Sequence, residues 1–187
     1  GGRGAALLIQ ATTETRTNAN YRGSLQAFYA AKSGLEEARA RIPALSTNPL
    51  ALPAAVGNVV YIIHDANVRP ASTSDPYYDA EFVQEFPGVN RGTPPTTASL
   101  QPAGRELPYR WVRLTMKTED SSLHDINRDG TLNTTTPIYY DGSSQNLTAN
   151  GKPVYTITSL AVTPDGSRSM LQLEGSQPPP YGSDAAL

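Results

Sequence analysis

The chain has no cysteine. That removes disulfides, thiolate-bound zinc, cysteine-ligated iron–sulfur clusters and cysteine nucleophiles at once. Histidine is nearly as scarce, with two residues, His64 and His124. His64-Asp65 offers the start of a metal-dependent hydrolase dyad but lacks the further His and Asp partners, so His64 reads as a hydrogen-bonded residue at a strand end. No sign of charge dominates: 15 basic against 17 acidic residues give a net charge of −2. With no basic excess to neutralise phosphates, nucleic acid is not expected as a partner. Long apolar runs are missing too. Ala5-Ala6-Leu7-Leu8-Ile9 is the longest near the start, far below the roughly 20 residues of a membrane span. Neither a G-x-S-x-G elbow nor a phosphate-cradling loop is present. Glu36 and Glu37, adjacent on a helix, diverge by about 100° and cannot flank one bond. The sequence therefore reads as non-catalytic.

What is abundant is turn-forming. The 187 residues include 16 prolines and 15 glycines, and only 38% are hydrophobic; mean hydropathy is −0.41. This length suits one domain with a real core, loop-rich and containing β-structure.

Residues from about Ala5 to Ile42 carry no proline and read as one helix. Leu25, Phe28, Ala31, Leu35, Ala38 and Ile42 recur at steps of three and four, one face of an α-helix. Glu36, Glu37, Arg39 and Arg41 take the other positions, and Pro43 stops the helix. Thr12–Asn20 is polar all round, with four threonines, and is a poor autonomous helix. Beyond the helix, Asn58–His64 reads as a buried strand. Asp65–Pro108, with six prolines before Pro108, reads as mainly irregular, with short strands near Glu81–Phe86. Arg110–Lys117 alternates as a half-buried antiparallel strand. Pro137–Tyr140 is a short strand. Val154–Thr163 and Ser167–Glu174 flank Pro164-Asp165-Gly166 and read as a hairpin. The expected fold is α+β: a long N-terminal helix packed on a C-terminal antiparallel β-sheet, with long irregular loops.

Thr12–Ile42, TTETRTNANYRGSLQAFYAAKSGLEEARARI, resembles the N-terminal region of PilX-type minor pilins of the type IV pilus and type II pseudopilus superfamily. The signature of that family is carried by Gln26-Ala27-Phe28-Tyr29-Ala30-Ala31-Lys32-Ser33-Gly34-Leu35-Glu36-Glu37-Ala38. An acidic residue is common in the family where Lys32 stands, and the family's membrane span is largely absent. Arg3-Gly4-Ala5-Ala6-Leu7 is similar to its processing junction. The resemblance implies residues 1–42 as a pilin-type helix and 43–187 as a globular β-rich body. It also implies a precursor anchored in the inner membrane of a bacterial cell envelope, then a pilus or extracellular location. Major and minor pilins and the pilus assembly machinery are the implied partners. Leu25, Phe28, Ala31, Leu35, Ala38 and Ile42 would serve helix packing and subunit assembly, and Ala27, Ala30, Ala31, Gly34 and Ala38 would let neighbouring backbones approach.

One further stretch carries chemistry. His124-Asp125-Ile126-Asn127-Arg128-Asp129-Gly130-Thr131-Leu132-Asn133 places oxygen donors on a two-residue beat and glycine at the sixth position counted from Asp125. That is the spacing of a calcium loop. Asp125, Asn127, Asp129, Thr131 (through its carbonyl) and Asn133 are the candidate ligands for a structural Ca²⁺. Thr136 stands at position 12, where a bidentate acid is expected; Asp120 or Asp141 could supply the missing oxygen pair from outside the loop. A plain Asp-Gly turn between strands is the other reading. Zinc is disfavoured by the donor set. Asn133-Thr134-Thr135 and Asn146-Leu147-Thr148 match the glycosylation triplet, which often arises by chance. Tyr77, Tyr78, Trp111, Tyr139 and Tyr140 suit either an exposed binding surface or packing on a sheet. Beside the pilin reading stand two alternatives: a type II secretion pseudopilin, and a secreted calcium-dependent module binding a surface or polysaccharide.

Overall fold

The computed structural model describes residues 8–17, 21–43, 46, 49–86, 96–98 and 107–177. Its elements are β1 (Leu8–Thr17), α1 (Tyr21–Arg41), β2 (Val59–Ile63), α2 (Ala80–Glu85), β3 (Thr96–Ala98), β4 (Trp111–Met116), α3 (Glu119–Ser122), β5 (Tyr139–Tyr140), β6 (Gln145–Asn146), β7 (Lys152–Val162) and β8 (Arg168–Ser176). Six strands lie in the order β1-β8-β7-β4-β2-β3, while β5 pairs with the start of β7 and carries β6. Neighbours are antiparallel, except β2 and β3, which run parallel. The fold is mixed α+β.

β7 and β8 form the expected hairpin, Val154 opposite Ser176 through Val162 opposite Arg168. Its turn is held by Asp165, whose carboxylate accepts from the Ser167 N–H at 3.0 Å and from the Thr163 hydroxyl.

α1 lies on one sheet face. Ala31, Leu35, Ala38 and Ile42 are buried there, against Val60, Ile62, Val112, Leu114, Ile157 and Leu171 of β2, β4, β7 and β8, and Ala27, one turn before Ala31, is buried too. The approach is close because the helix presents small residues. A Cβ on Gly34 would stand 2.2 Å from Ser159 Oγ and 2.8 Å from Val112 Cγ2. The small residues of the helix thus serve its own sheet first.

Four expectations change. Residues 8–17 form strand β1 rather than the first half of a single long helix. Four threonines are β-branched and favour extended backbone, and the outer edge of β8 supplies hydrogen-bond partners, Gln10 opposite Glu174 and Thr17 opposite Ser169. Leu25 is 41% exposed and lies off the packing stripe, which runs instead through Ala27; Phe28 packs at its border. Residues 80–85, expected as strand or loop, are helix α2, because Asp79 caps it by accepting from the Phe82 N–H at 3.2 Å. Finally, β4 is buried on both faces rather than one.

That last change follows from the proline-rich excursion after β2. Val68, Phe82 and Phe86 cover the second sheet face, packing with Tyr61, Trp111, Leu160 and Met170. Trp111 is fully buried and its indole donates to Tyr77 O at 2.7 Å, so it packs rather than forming a binding surface. Arg113 on the same face reaches Asp79 and Glu85. Residues 87–95 and 99–106 of the expected irregular stretch lie outside the described residues.

Candidate functional site

The residues with the two-residue oxygen beat follow α3, four residues capped reciprocally by Thr118 and Ser121. Leu123 closes this helix in the left-handed region, φ 55°, and is 78% exposed. The chain then turns through a tight oxygen-lined loop. The Asp125 carboxylate accepts from the N–H of Asp129 at 3.3 Å and of Gly130 at 2.8 Å. Asn127 Oδ1 accepts from the Asp129 N–H at 3.2 Å, and its amide donates to Asp129 Oδ2 at 3.0 Å. Asp129 Oδ1 accepts from the Thr131 N–H at 2.8 Å. Left-handed backbone at Arg128 (φ 60°) and Gly130 (φ 85°) makes the curvature; glycine meets that need without strain.

Asp125, Asn127 and Asp129 are therefore brought together. Asn133 is tied elsewhere: its carboxamide oxygen accepts from the N–H groups of Thr135 at 3.0 Å and Thr136 at 2.8 Å. Thr131 is exposed, and its N–H serves Asp129. Of the two carboxylates expected to complete the site, Asp141 is committed to Ser143 and Ser144. Those N–H groups hold its pKa below the ordinary carboxylate value, that of Ser144 most, then that of Ser143. Asp120 sits beside the loop, its N–H donating to Asn133 O at 3.1 Å.

Sequence reasoning missed Glu119. It is 1% exposed; Oε1 accepts from the Ile126 N–H at 2.8 Å and Oε2 from the Asn133 N–H at 2.9 Å. One carboxylate thus ties together the beginning and end of the loop. It precedes Asp125 by six residues, outside the loop's spacing rule, so no pattern flagged it. Among the described residues no group of three or more His, Cys, Asp or Glu is placed to hold a metal. Asp125 and Asp129 give two carboxylates, and the remaining donors would be amide and carbonyl oxygens, which suit a hard cation such as Ca²⁺.

His64 is buried at the end of β2, 3.7 Å from Asp65, and belongs to no ligand cluster among the described residues. No helix of the described residues is long and apolar enough to cross a membrane. No protein-family model, curated protein or solved structure matches the chain.

Proposed function

We propose that the chain is the globular part of a PilX-like minor pilin, a non-catalytic subunit that acts in type IV pilus assembly or the tip complex. One observation carries this reading. α1 buries one stripe in its own sheet and leaves a second, Leu25, Tyr29, Lys32 and Glu36, facing outward at steps of four and three. Tyr29 is 59% exposed and packs edge-on against Phe28, 5.4 Å between ring centroids. A helix shared between a private sheet and sister subunits needs two such stripes. In the assembled state, residues 8–17 would leave β8 and continue α1 upstream.

The reading is tested in the bacterium by placing a photo-crosslinking amino acid at Tyr29. Adducts with other pilins are the expected result; adducts confined to unrelated proteins, with normal folding, would reject it. The upstream coding sequence gives a second check. A basic segment, a glycine junction and about 20 apolar residues before Thr12 fit a pilin or a type II secretion pseudopilin. A conventional cleaved signal peptide favours the secreted binding module instead.

A structural Ca²⁺ is part of the same proposal. Asp125, Asn127 and Asp129 would supply side-chain oxygens, Thr131 its carbonyl, Asn133 a weaker contact and Asp120 the missing carboxylate. Two loop carboxylates imply a dissociation constant on the order of 10⁻⁴–10⁻³ M, suited to external calcium.

A further inference from the structure

Beside the cation loop lies a cleft of about 530 Å³, within the roughly 300–1,000 Å³ range of small-molecule sites. Alternation along β4 brings Lys117 to the same sheet face as Arg113, and Lys117 forms the cleft's floor with Gln145 and Glu174. Lys117 Nζ donates to Gln145 Oε1 at 2.8 Å and stands 2.8 Å from Glu174 Oε2. The Gln145 amide donates to Glu174 Oε1 at 3.3 Å. The Lys117 side chain is only 6% exposed and that of Glu174 16%. The floor is therefore a charge-balanced network of donors and acceptors.

Both walls are fixed before any ligand arrives. On one side stand Ser122, His124 and Ile126, from α3 and the start of the cation loop. The Ser122 hydroxyl donates to Thr118 O at 2.8 Å, which leaves its lone pairs to accept. Ile126 is held through its N–H by the buried Glu119. On the other side stand Tyr140, Ser143 and Ser144 of the β5–β6 turn. Asp141 locks this turn, accepting from the Ser143 N–H at 2.8 Å, its hydroxyl at 2.9 Å and the Ser144 N–H at 2.8 Å.

We propose that this cleft binds a neutral, hydroxyl-rich ligand, a saccharide, between α3 and the β5–β6 turn. Lys117 and Glu174 cancel, so neither an anion nor a cation is favoured by the floor. The floor is too polar for a lipid tail, because covering it with hydrocarbon would strip water from these groups without replacing its hydrogen bonds. The ammonium's three hydrogens are spent on Gln145 and Glu174, while the second lone pairs of those oxygens, the second Gln145 amide hydrogen and the serine hydroxyls suit ligand hydroxyls, which both donate and accept. Tyr140 and Ile126 add apolar surface for the C–H face of a sugar ring. Rigid walls reduce the ordering cost of binding. The proposal stands apart from the pilin reading: crosslinking at Tyr29 can fail while sugar binding persists, and the reverse.

The test is a titration of the ¹⁵N-labelled 187-residue chain with neutral hexoses and N-acetylhexosamines, with glucuronate and galacturonate as anionic comparators. The expected result is saturable shifts for His124, Ser143, Ser144 and Gln145 with at least one neutral sugar. Tyr140→Ala should weaken binding about tenfold or more at unchanged melting temperature, with Tyr29→Ala as an unaffected control. Should Tyr140→Ala fold poorly, Ser144→Ala replaces it, with a several-fold loss expected. No shift at about 50 mM sugar, far above a useful dissociation constant, overturns the proposal. So does binding of the uronates alone, or binding unchanged in the folded variant.

Discussion

Arg113 donates to both carboxylate oxygens of Asp79 at 2.9 Å, and both side chains have zero exposure. The pair joins β4 to the residue that caps α2, across 34 positions of sequence. Tyr61 also donates to Asp79, at 2.7 Å, and Arg113 reaches Glu85 at 2.6 Å and Thr158 at 3.1 Å. Burial by itself would lower the arginine's pKa, but the charges of Asp79 and Glu85 outweigh it and hold the guanidinium protonated, its pKa raised. Asp79→Ala leaves Glu85 as the one carboxylate beside this buried cation and removes the acceptor of the Tyr61 hydroxyl and of the Phe82 N–H. The expected loss is about 3–5 kcal/mol, measured by urea unfolding. A loss under 1 kcal/mol would mean that Glu85 suffices to balance Arg113.

Gly34→Ala tests the contact of α1 with the sheet. The added Cβ meets Ser159 Oγ, Val112 Cγ2 and, at 3.0 Å, Tyr109 Cγ. Alanine is the better helix former, so an isolated helix would gain, whereas here overpacking should cost about 1–3 kcal/mol. A raised melting temperature would show that α1 is free to lift off.

Glu119→Ala leaves the N–H groups of Ile126 and Asn133 without their carboxylate. Each such group costs about 1–3 kcal/mol when buried. A melting temperature raised by millimolar Ca²⁺ and lowered again by chelator is expected of the unaltered chain, and both Glu119→Ala and Asp125→Ala should abolish the response. An unaltered chain indifferent to calcium would leave the loop as a hydrogen-bonded turn.

Acid should loosen two turns. Asp141 and Asp165 have lowered pKa values, Asp141 chiefly through the Ser144 N–H and Asp165 chiefly through the Thr163 hydroxyl. A carboxylate depressed on folding contributes its full stabilisation above the unfolded value of about 3.9, and loses it as pH falls through the lower folded value. Unfolding midpoints should therefore drop below pH 4, and Asp141→Asn with Asp165→Asn should flatten that slope.

β1 should open before the central strands. It lies at the sheet edge, with an irregularity between Gln10 and Glu14. Amides of 8–17 should exchange faster than those of β7, which is paired on both sides. Equal protection would make β1 an integral strand and would weigh against its release to continue α1.

Much of the fold was legible because its signals are local. The Pro164-Asp165-Gly166 turn announced the β7–β8 hairpin, and alternation marked β4. The helix was readable from Ala31, Leu35, Ala38 and Ile42, which all reach the core. Leu25 misled because periodicity alone cannot say where a stripe ends. The true stripe passes through Ala27 and Gly34, chosen for smallness rather than greasiness. Residues 8–17 misled because absence of proline permits a helix without favouring one. In the loop 125–133, the two-residue beat picked out Asp125, Asn127 and Asp129, which the fold brings together, whereas Glu119 acts from outside the beat.

By itself the sequence determined the local geometry: which segments turn, which alternate, and where oxygens cluster. These depend on backbone preferences and on neighbours a few residues apart. Only the tertiary structure decided that β4 is buried on both faces, that Asp79 meets Arg113 and that Lys117 meets Glu174. Those pairings join residues 34 and 57 positions apart. They exist because a buried charge must find a partner wherever the folded chain brings one, and no spacing in the sequence records that encounter.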